Sequence, residues 1–210
     1  MTGQACPLWQ AALVAGLMGA LQACSSLPRI VILHDPLTPQ EHVTLGETYQ
    51  AQDKTELAVR EFEAALRGQQ DYAPALVALG NLSFEAGRLQ QAEDYYRRVL
   101  DAAPDHPAAG NNLAMVYLTR GERLDEAERL ARGATAQEDP LRPYALDTLA
   151  RIYLRQKRYR EAQTALEQAL TAAPSGNTPL QERLAQTQRE LTEDQQRLDH
   201  APVRTTPANP

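Results

Sequence analysis

The chain has 210 residues, 43% hydrophobic and 23% charged, a length and balance that fit one ordinary globular domain. A formal charge of −6 and a pI near 5.3 disfavour attraction to phosphate backbones, so nucleic acid is not expected as a partner. The two cysteines, Cys6 and Cys24, both lie near the N-terminus, which excludes a downstream intramolecular disulfide or cysteine-rich metal site and leaves stability to packing.

Aromatic residues are scarce, and Ala, Leu, Gln, Glu and Arg dominate. These side chains lose little rotamer freedom in a helix, so an all-α fold is expected. Leu8 to Ala23 reads LWQAALVAGLMGALQA, short of the ~20 apolar residues a spanning helix needs and typical of a signal h-region. It ends in Leu21-Gln22-Ala23-Cys24, which resembles the lipobox of bacterial lipoproteins. The resemblance implies a signal peptide over 1–23 and lipidation of Cys24, which becomes the mature N-terminus; two or more acyl chains give stable membrane anchoring. Gln22 is bulkier than the usual residue there, and MTGQACPLWQ carries no Lys or Arg. An ordinary cleaved signal or an N-terminal anchor helix is the alternative.

Residues 24–38 read as a linker. Within it Ile30-Val31-Ile32-Leu33 is the one good strand candidate, able to add an edge strand to a partner or to pack over the first helix. His34-Asp35-Pro36 breaks the run. Thr38-Pro39-Gln40-Glu41 then combines an N-cap, a proline at N1 and a capping-box glutamate, so the first helix is expected to open near Pro39.

Internal repetition dominates the rest. Leu45-Gly46 with Tyr49, Ala58, Phe62 and Ala65 recurs as Leu79-Gly80 with Ala92, Tyr96 and Pro104. The step from Gly46 to Gly80 is repeated from Gly80 to Ala114. Leu113-Ala114 with Tyr117 opens a third unit, and Leu149-Ala150 with Tyr153, Ala162, Leu166, Ala169 and Pro174 a fourth. The small residues let paired helices approach, the bulky ones fill the groove between them, and Gly87, Gly121, Pro104 and Pro174 suit turns. This pattern resembles the tetratricopeptide repeat. The resemblance implies an all-α, right-handed superhelix of about four helix pairs, near 39–72, 73–106, 107–142 and 143–176. The third unit departs locally, with its small helix-B residue one place late at Ala127, and the connection through Glu138-Asp139-Pro140 is long. Thr178-Pro179 reads as N-cap and N1 of a long amphipathic helix over 177–199 carrying Leu180, Leu184, Leu191 and Leu198, a cap for the stack. The tail 200–210, with three prolines, is expected to be disordered.

No catalytic constellation emerges. His34, His42, His106 and His200 fall in linkers or at helix ends with no paired carboxylate or thiol at ligand spacing, and no glycine-rich phosphate loop is present. No enzyme activity, cofactor, metal or small-molecule substrate is therefore expected. In tetratricopeptide stacks helices A line the concave face, and by register the resemblance places Glu47, Val77, Asn81, Phe84, Asn111, Met115, Asp147 and Arg151 there, a polar surface with apolar spots suited to an extended or helical peptide. Glu93 and Arg97 are expected on the opposite, convex face. Arg151, Arg155, Lys157, Arg158 and Arg160 form a positive run across the fourth intra-unit turn, able to meet lipid headgroups or an acidic partner, or simply solvated.

Ser25 after the cysteine implies, by analogy with enteric-type sorting, an outer-membrane anchor facing the periplasm. Short repeat lipoproteins of this kind resemble the pilotins of type IV pili, the helical lipoprotein of the outer-membrane-protein assembly complex and, faintly, lipoproteins that accompany envelope peptidases. The expected function is a membrane-anchored scaffold for protein partners in the cell envelope, an assembly or docking factor. An adaptor subunit of an envelope peptidase or cell-wall hydrolase and a soluble periplasmic chaperone are the alternatives.

Overall fold

The computed structural model describes residues 35–136 and 140–200. The leader, Cys24, the candidate strand Ile30–Leu33, His34, most of the Glu138-Asp139-Pro140 connection and the proline-rich tail lie outside the described residues. Those described from Leu37 onward belong to one compact unit, and all its regular structure is helical: α1 Pro39–Gln50, α2 Thr55–Gly68, α3 Ala73–Glu85, α4 Leu89–Ala102, α5 Pro107–Arg120, α6 Leu124–Thr135, α7 Arg142–Arg155, α8 Tyr159–Ala172 and α9 Thr178–Asp199. The all-α repeat architecture is the one the sequence led us to expect.

Local chemistry sets the helix ends. Thr38 and Glu41 form a complete capping box, with the Thr38 backbone N–H donating to Glu41 Oε2 at 2.7 Å and the Glu41 N–H donating to Thr38 Oγ1 at 3.3 Å. Each odd-numbered helix carries a proline in its first turn, namely Pro39, Pro74, Pro107, Pro143 and Pro179. There the missing N–H removes a donor that would have no partner anyway. The cap of α9 is Asn177, whose Oδ1 accepts from the Leu180 N–H at 3.3 Å. This corrects the expectation of Thr178: both residues are good caps, but the helix begins one residue earlier, after Gly176 at φ +89°.

The two helices of each pair meet through one small and one large residue. A Cβ on Gly46 would fall 2.9 Å from Phe62 Cζ, and one on Gly80 2.8 Å from Tyr96 Cζ. The third and fourth units use Ala114 with Leu130 and Ala150 with Leu166 at the same spacing along the chain, all four buried in one cluster. The turns within the pairs need a left-handed residue two turns of chain beyond the small one. Gly87 and Gly121 supply it in the middle units, but Asp53 (φ +58°) and Lys157 (φ +59°) adopt it in the outer ones.

Along the stack the backbone of each odd-numbered helix packs against that of the next odd-numbered helix, whereas the even-numbered helices stand farther apart, α4 and α6 meeting through the Arg97 and Glu126 side chains at 4.0 Å. The odd-numbered set (helices A) is therefore on the inside of the curve. Helix α9 belongs to it: Leu180 and Leu184, both fully buried, follow Leu146 and Ala150 by the same step that separates Gly80 from Gly46, so α9 stands where a fifth helix A would stand. Leu191 is buried with them, but Leu198, expected on the same apolar face, is 53% exposed, because α9 runs past the end of its neighbours.

Candidate partner-binding face

Two carboxylates bind the outer side of the stack together. Glu93 of α4 receives Arg97 Nε at 2.9 Å, Tyr117 Oη at 3.1 Å, Arg120 Nη1 at 2.6 Å and Arg123 Nη1 at 3.3 Å. Burial alone would raise its pKa, but the hydrogen bonds from Arg120 and Tyr117 and the Arg97 charge outweigh it and hold the carboxyl below its ordinary value. Glu128 of α6 repeats the arrangement with Arg132, Tyr153 and Arg158, again with a lowered pKa despite burial, and the Arg158 guanidinium lies 4.4 Å from the Tyr153 ring centroid. This corrects the placement of Glu93 and Arg97 on a free convex surface: Glu93 is 6% exposed and joins the second unit to the third.

The histidine expectation also changes. His42 is buried inside α1 with Nδ1 2.7 Å from Glu61 Oε2 of α2, a carboxylate pairing between two helices that no local spacing reveals. His106 caps α5, its Nδ1 accepting from the Ala109 N–H at 3.3 Å. Among the described residues no group of three or more His, Cys, Asp or Glu side chains is placed to hold a metal ion. No described helix is long and apolar enough to cross a membrane.

On the inner side, Asn81, Phe84, Asn111 and Met115 come together around one pocket of about 240 Å³, joined by Glu85, Tyr96, Asn112 and Arg183. Tyr96 Oη donates to Asn81 Oδ1 at 2.8 Å, Asn112 Nδ2 donates to the same oxygen at 2.8 Å, and Asn111 Nδ2 donates to Asn112 Oδ1 at 3.1 Å. Burial raises the Tyr96 phenol well above its usual range, so it remains a hydroxyl donor. Glu47, exposed on α1, and half-buried Val77 lie outside this pocket.

Asp147 is not open groove lining. It is fully buried beneath α9, with Arg183 Nε donating to Oδ2 and Thr187 Oγ1 donating to Oδ1, each at 2.6 Å. The same Arg183 places Nη2 3.5 Å from Met115 Sδ and 3.5 Å from Thr148 Oγ1. Arg151 directs Nη1 toward Met115 Sδ at 3.8 Å and also lines a cleft of about 530 Å³ facing Glu190, Glu193 and Asp194 of α9. The positive run thus divides: Arg158 is bound to Glu128 and Glu161, Arg155 and Arg160 are exposed, and Lys157 is exposed at the turn between them. Asn112 and Arg183 were absent from the sequence-based set. The repeat step places Arg183 at the register of the core leucine Leu149, so register alone assigns it to the core; an arginine at a core position was the available signal.

A stack of antiparallel helix pairs with an inner face of successive helices A defines a helical-repeat interaction scaffold. Models of the tetratricopeptide repeat match residues 43–107, 77–143 and 143–175, and the chain belongs to that family. Among curated proteins none matches the chain. Solved structures share its fold at low identity. PilW, described as a widely conserved type IV pilus biogenesis factor, is 20% identical with a TM-score of 0.65, over 74% of this chain and 70% of PilW. A tetratricopeptide repeat protein from Parabacteroides merdae is 19% identical with a TM-score of 0.61, over 90% of this chain and 71% of its own. MamA is 20% identical with a TM-score of 0.56, over 81% and 96%.

Proposed function

We propose that the chain is a lipid-anchored scaffold of the bacterial envelope, held by Cys24 on the periplasmic face of the outer membrane and docking protein partners during assembly, in the manner of a pilotin. The tetratricopeptide fold implies protein partners, and scaffolds of this fold are in general not enzymes. The observation that carries the anchoring is Leu21-Gln22-Ala23-Cys24 at the end of an apolar stretch, followed by a linker and then the folded unit from Leu37. The shared fold of PilW supports assembly over the adaptor and chaperone alternatives.

The test is to express the full chain and its Cys24→Ala variant in a bacterium with an outer membrane, fractionate the membranes after a salt wash, and measure the N-terminal mass. A mature chain starting at Cys24 with acyl mass, lost from membranes in the variant, supports the reading. An unacylated N-terminus overturns the anchor and favours a soluble periplasmic chaperone. Crosslinking of the anchored chain chiefly to a peptidase or cell-wall hydrolase, instead of to an envelope assembly, overturns the docking role.

A further inference from the structure

The joints between successive units follow one rule in this chain. Where an even-numbered helix carries a carboxylate directly after its small alanine, the next odd-numbered helix carries a tyrosine that bonds it. Tyr117 Oη lies 3.1 Å from Glu93 and Tyr153 Oη 3.2 Å from Glu128. A basic residue just before the next even-numbered helix completes each joint, with Arg123 Nη1 3.3 Å from Glu93 and Arg158 Nη1 2.6 Å from Glu128. Where the carboxylate is absent, the tyrosine is absent too: Val59 is followed one unit on by Ser83, and Gln163 by Thr187, at the same registers. The tyrosine therefore marks a helix that receives a carboxylate from the unit before it.

Tyr49, in the last turn of α1, holds the register of Tyr117 and Tyr153, and Lys54, just before α2, that of Arg123 and Arg158. Among the described residues no helix stands before α1, and neither side chain meets a carboxylate. Tyr49 is half-buried with no partner for its hydroxyl, and Lys54 Nζ donates to the neutral Gln52 Oε1 at 2.8 Å. Two leucines beside them lack cover. Leu45 is half-buried, whereas Leu79, Leu113 and Leu149 at its register are buried. Leu57 is 37% exposed, at the register of Glu126, which in α6 reaches back to Arg97 of α4.

These features select the occupant. Two apolar side chains with a hydroxyl and an ammonium donor form one half of a charged joint, and the missing half is a helix with a carboxylate on an apolar face. A basic side chain in that place would meet Lys54. Residues 1–34 contain no Asp or Glu, and Asp35 precedes the opposite end of α1, so the carboxylate comes from another chain. Building on the scaffold reading above, we propose that the N-terminal end of the stack docks an amphipathic helix of a partner protein. That helix takes the place of a preceding even-numbered helix, with one glutamate between Tyr49 Oη and Lys54 Nζ and apolar side chains over Leu45 and Leu57.

Lys54 and Lys157 are the two lysines of the chain, so ¹³Cε-labelled lysine gives two signals in the full chain held in detergent, assigned with Lys157→Arg. The probe is a peptide copying α6, Leu124–Thr135, held helical by a lactam between positions 129 and 133, which are exposed in the stack. One peptide keeps Glu128 and its twin carries Glu128→Gln. The Glu128 peptide is expected to shift Lys54 saturably and leave Lys157 unmoved, with the twin at least about tenfold weaker, the loss of a hydrogen bond to a charged group. Tyr49→Phe in the chain, which keeps the ring, should shrink that preference. Equal binding of the two peptides, no Lys54 shift at millimolar peptide, or an undiminished preference in Tyr49→Phe overturns the proposal. A shift of Lys157 in place of Lys54 moves binding to the turn between α7 and α8 and overturns it as well. A Lys54 shift that grows with protein concentration in the absence of peptide makes the occupant a second copy and overturns the assignment to a partner protein. The titration needs neither anchor nor natural partner, so its failure leaves the lipoprotein test untouched, and failure of that test leaves the chemistry of this end standing.

Discussion

Gly80 lies against the ring of Tyr96, on the partner helix of its pair, so closely that a Cβ would fall 2.8 Å from Cζ. The fold solves the same contact as Gly46 with Phe62 and, in the later units, as alanine with leucine. The combined size of the two residues is therefore what the contact holds steady, not the size at either position. Gly80→Ala should cost about 1–3 kcal/mol by overpacking. Tyr96→Leu should cost a similar amount, since it also removes the bond to Asn81. The double variant recreates the alanine–leucine form and should be more stable than the sum predicts, by about 1 kcal/mol. Urea unfolding of the four proteins measures this, and strict additivity would show that the ring does not seat on the glycine.

The constant repeat step made the fold legible because each unit needs the same small and large residues to bring two helices together. The capping box at Thr38 was legible for a different reason, since its partners are neighbours in sequence. The links between units were not. Glu93 on α4 meets Tyr117, Arg120 and Arg123 at the far end of α5 and just beyond it, and no local pattern marks such a charge as buried. Its recurrence at Glu128 with Tyr153 and Arg158 was the available signal. Asp147 was misplaced because helix register alone cannot reveal that α9 returns to cover it.

Lys157 adopts a left-handed backbone at the position where Gly87 and Gly121 serve the same turn. A lysine carries steric strain there that glycine does not, partly offset by the greater freedom of glycine in the unfolded chain. Lys157→Gly should therefore raise stability by about 0.5 kcal/mol. Asp53→Gly should gain less, because aspartate tolerates this conformation better than lysine. Thermal unfolding of the two variants tests the order; a destabilised Lys157→Gly would mean the side chain contributes more than the strain it carries.

Glu93 and Glu128 make stability pH-dependent with a fixed sign. Their carboxyls titrate lower in the fold than the ordinary value of 4.5. Their contribution is thus complete above that value and is lost as pH falls below it, through the folded-state values. Glu93→Gln should lower stability near pH 7 by about 2 kcal/mol, the scale of hydrogen bonds to a charged group, and should flatten the acid limb of the stability curve. Urea midpoints followed down to about pH 3 should show variant and wild type converging. A constant offset at every pH would mean that shape, not charge, holds the second unit to the third.

The last helix depends on one polar anchor as well as its leucines. Asp147 is fully buried and Arg183 a third exposed, with Nε and Oδ2 2.6 Å apart. Removing the arginine strands a buried carboxylate with Thr187 alone to satisfy it. The partial exposure of Arg183 puts the expected cost of Arg183→Leu at the lower end of roughly 3–5 kcal/mol. In a repeat stack, coupling passes between neighbours, so hydrogen exchange should accelerate first in α9 and then in α7 and α8, with α1 and α2 scarcely changed. Adding Asp147→Leu removes the stranded charge and should restore protection in α9, since apolar replacement of a buried pair is often neutral or better. Restoration means that the loss in Arg183→Leu comes from the stranded Asp147 charge and that apolar packing can hold α9 in place of the pair. Continued fast exchange in the double variant, with the leucine packing of Leu180 and Leu184 intact, would show instead that Asp147 orders α9 through its specific hydrogen bonds to Arg183 and Thr187, which no apolar pair can replace.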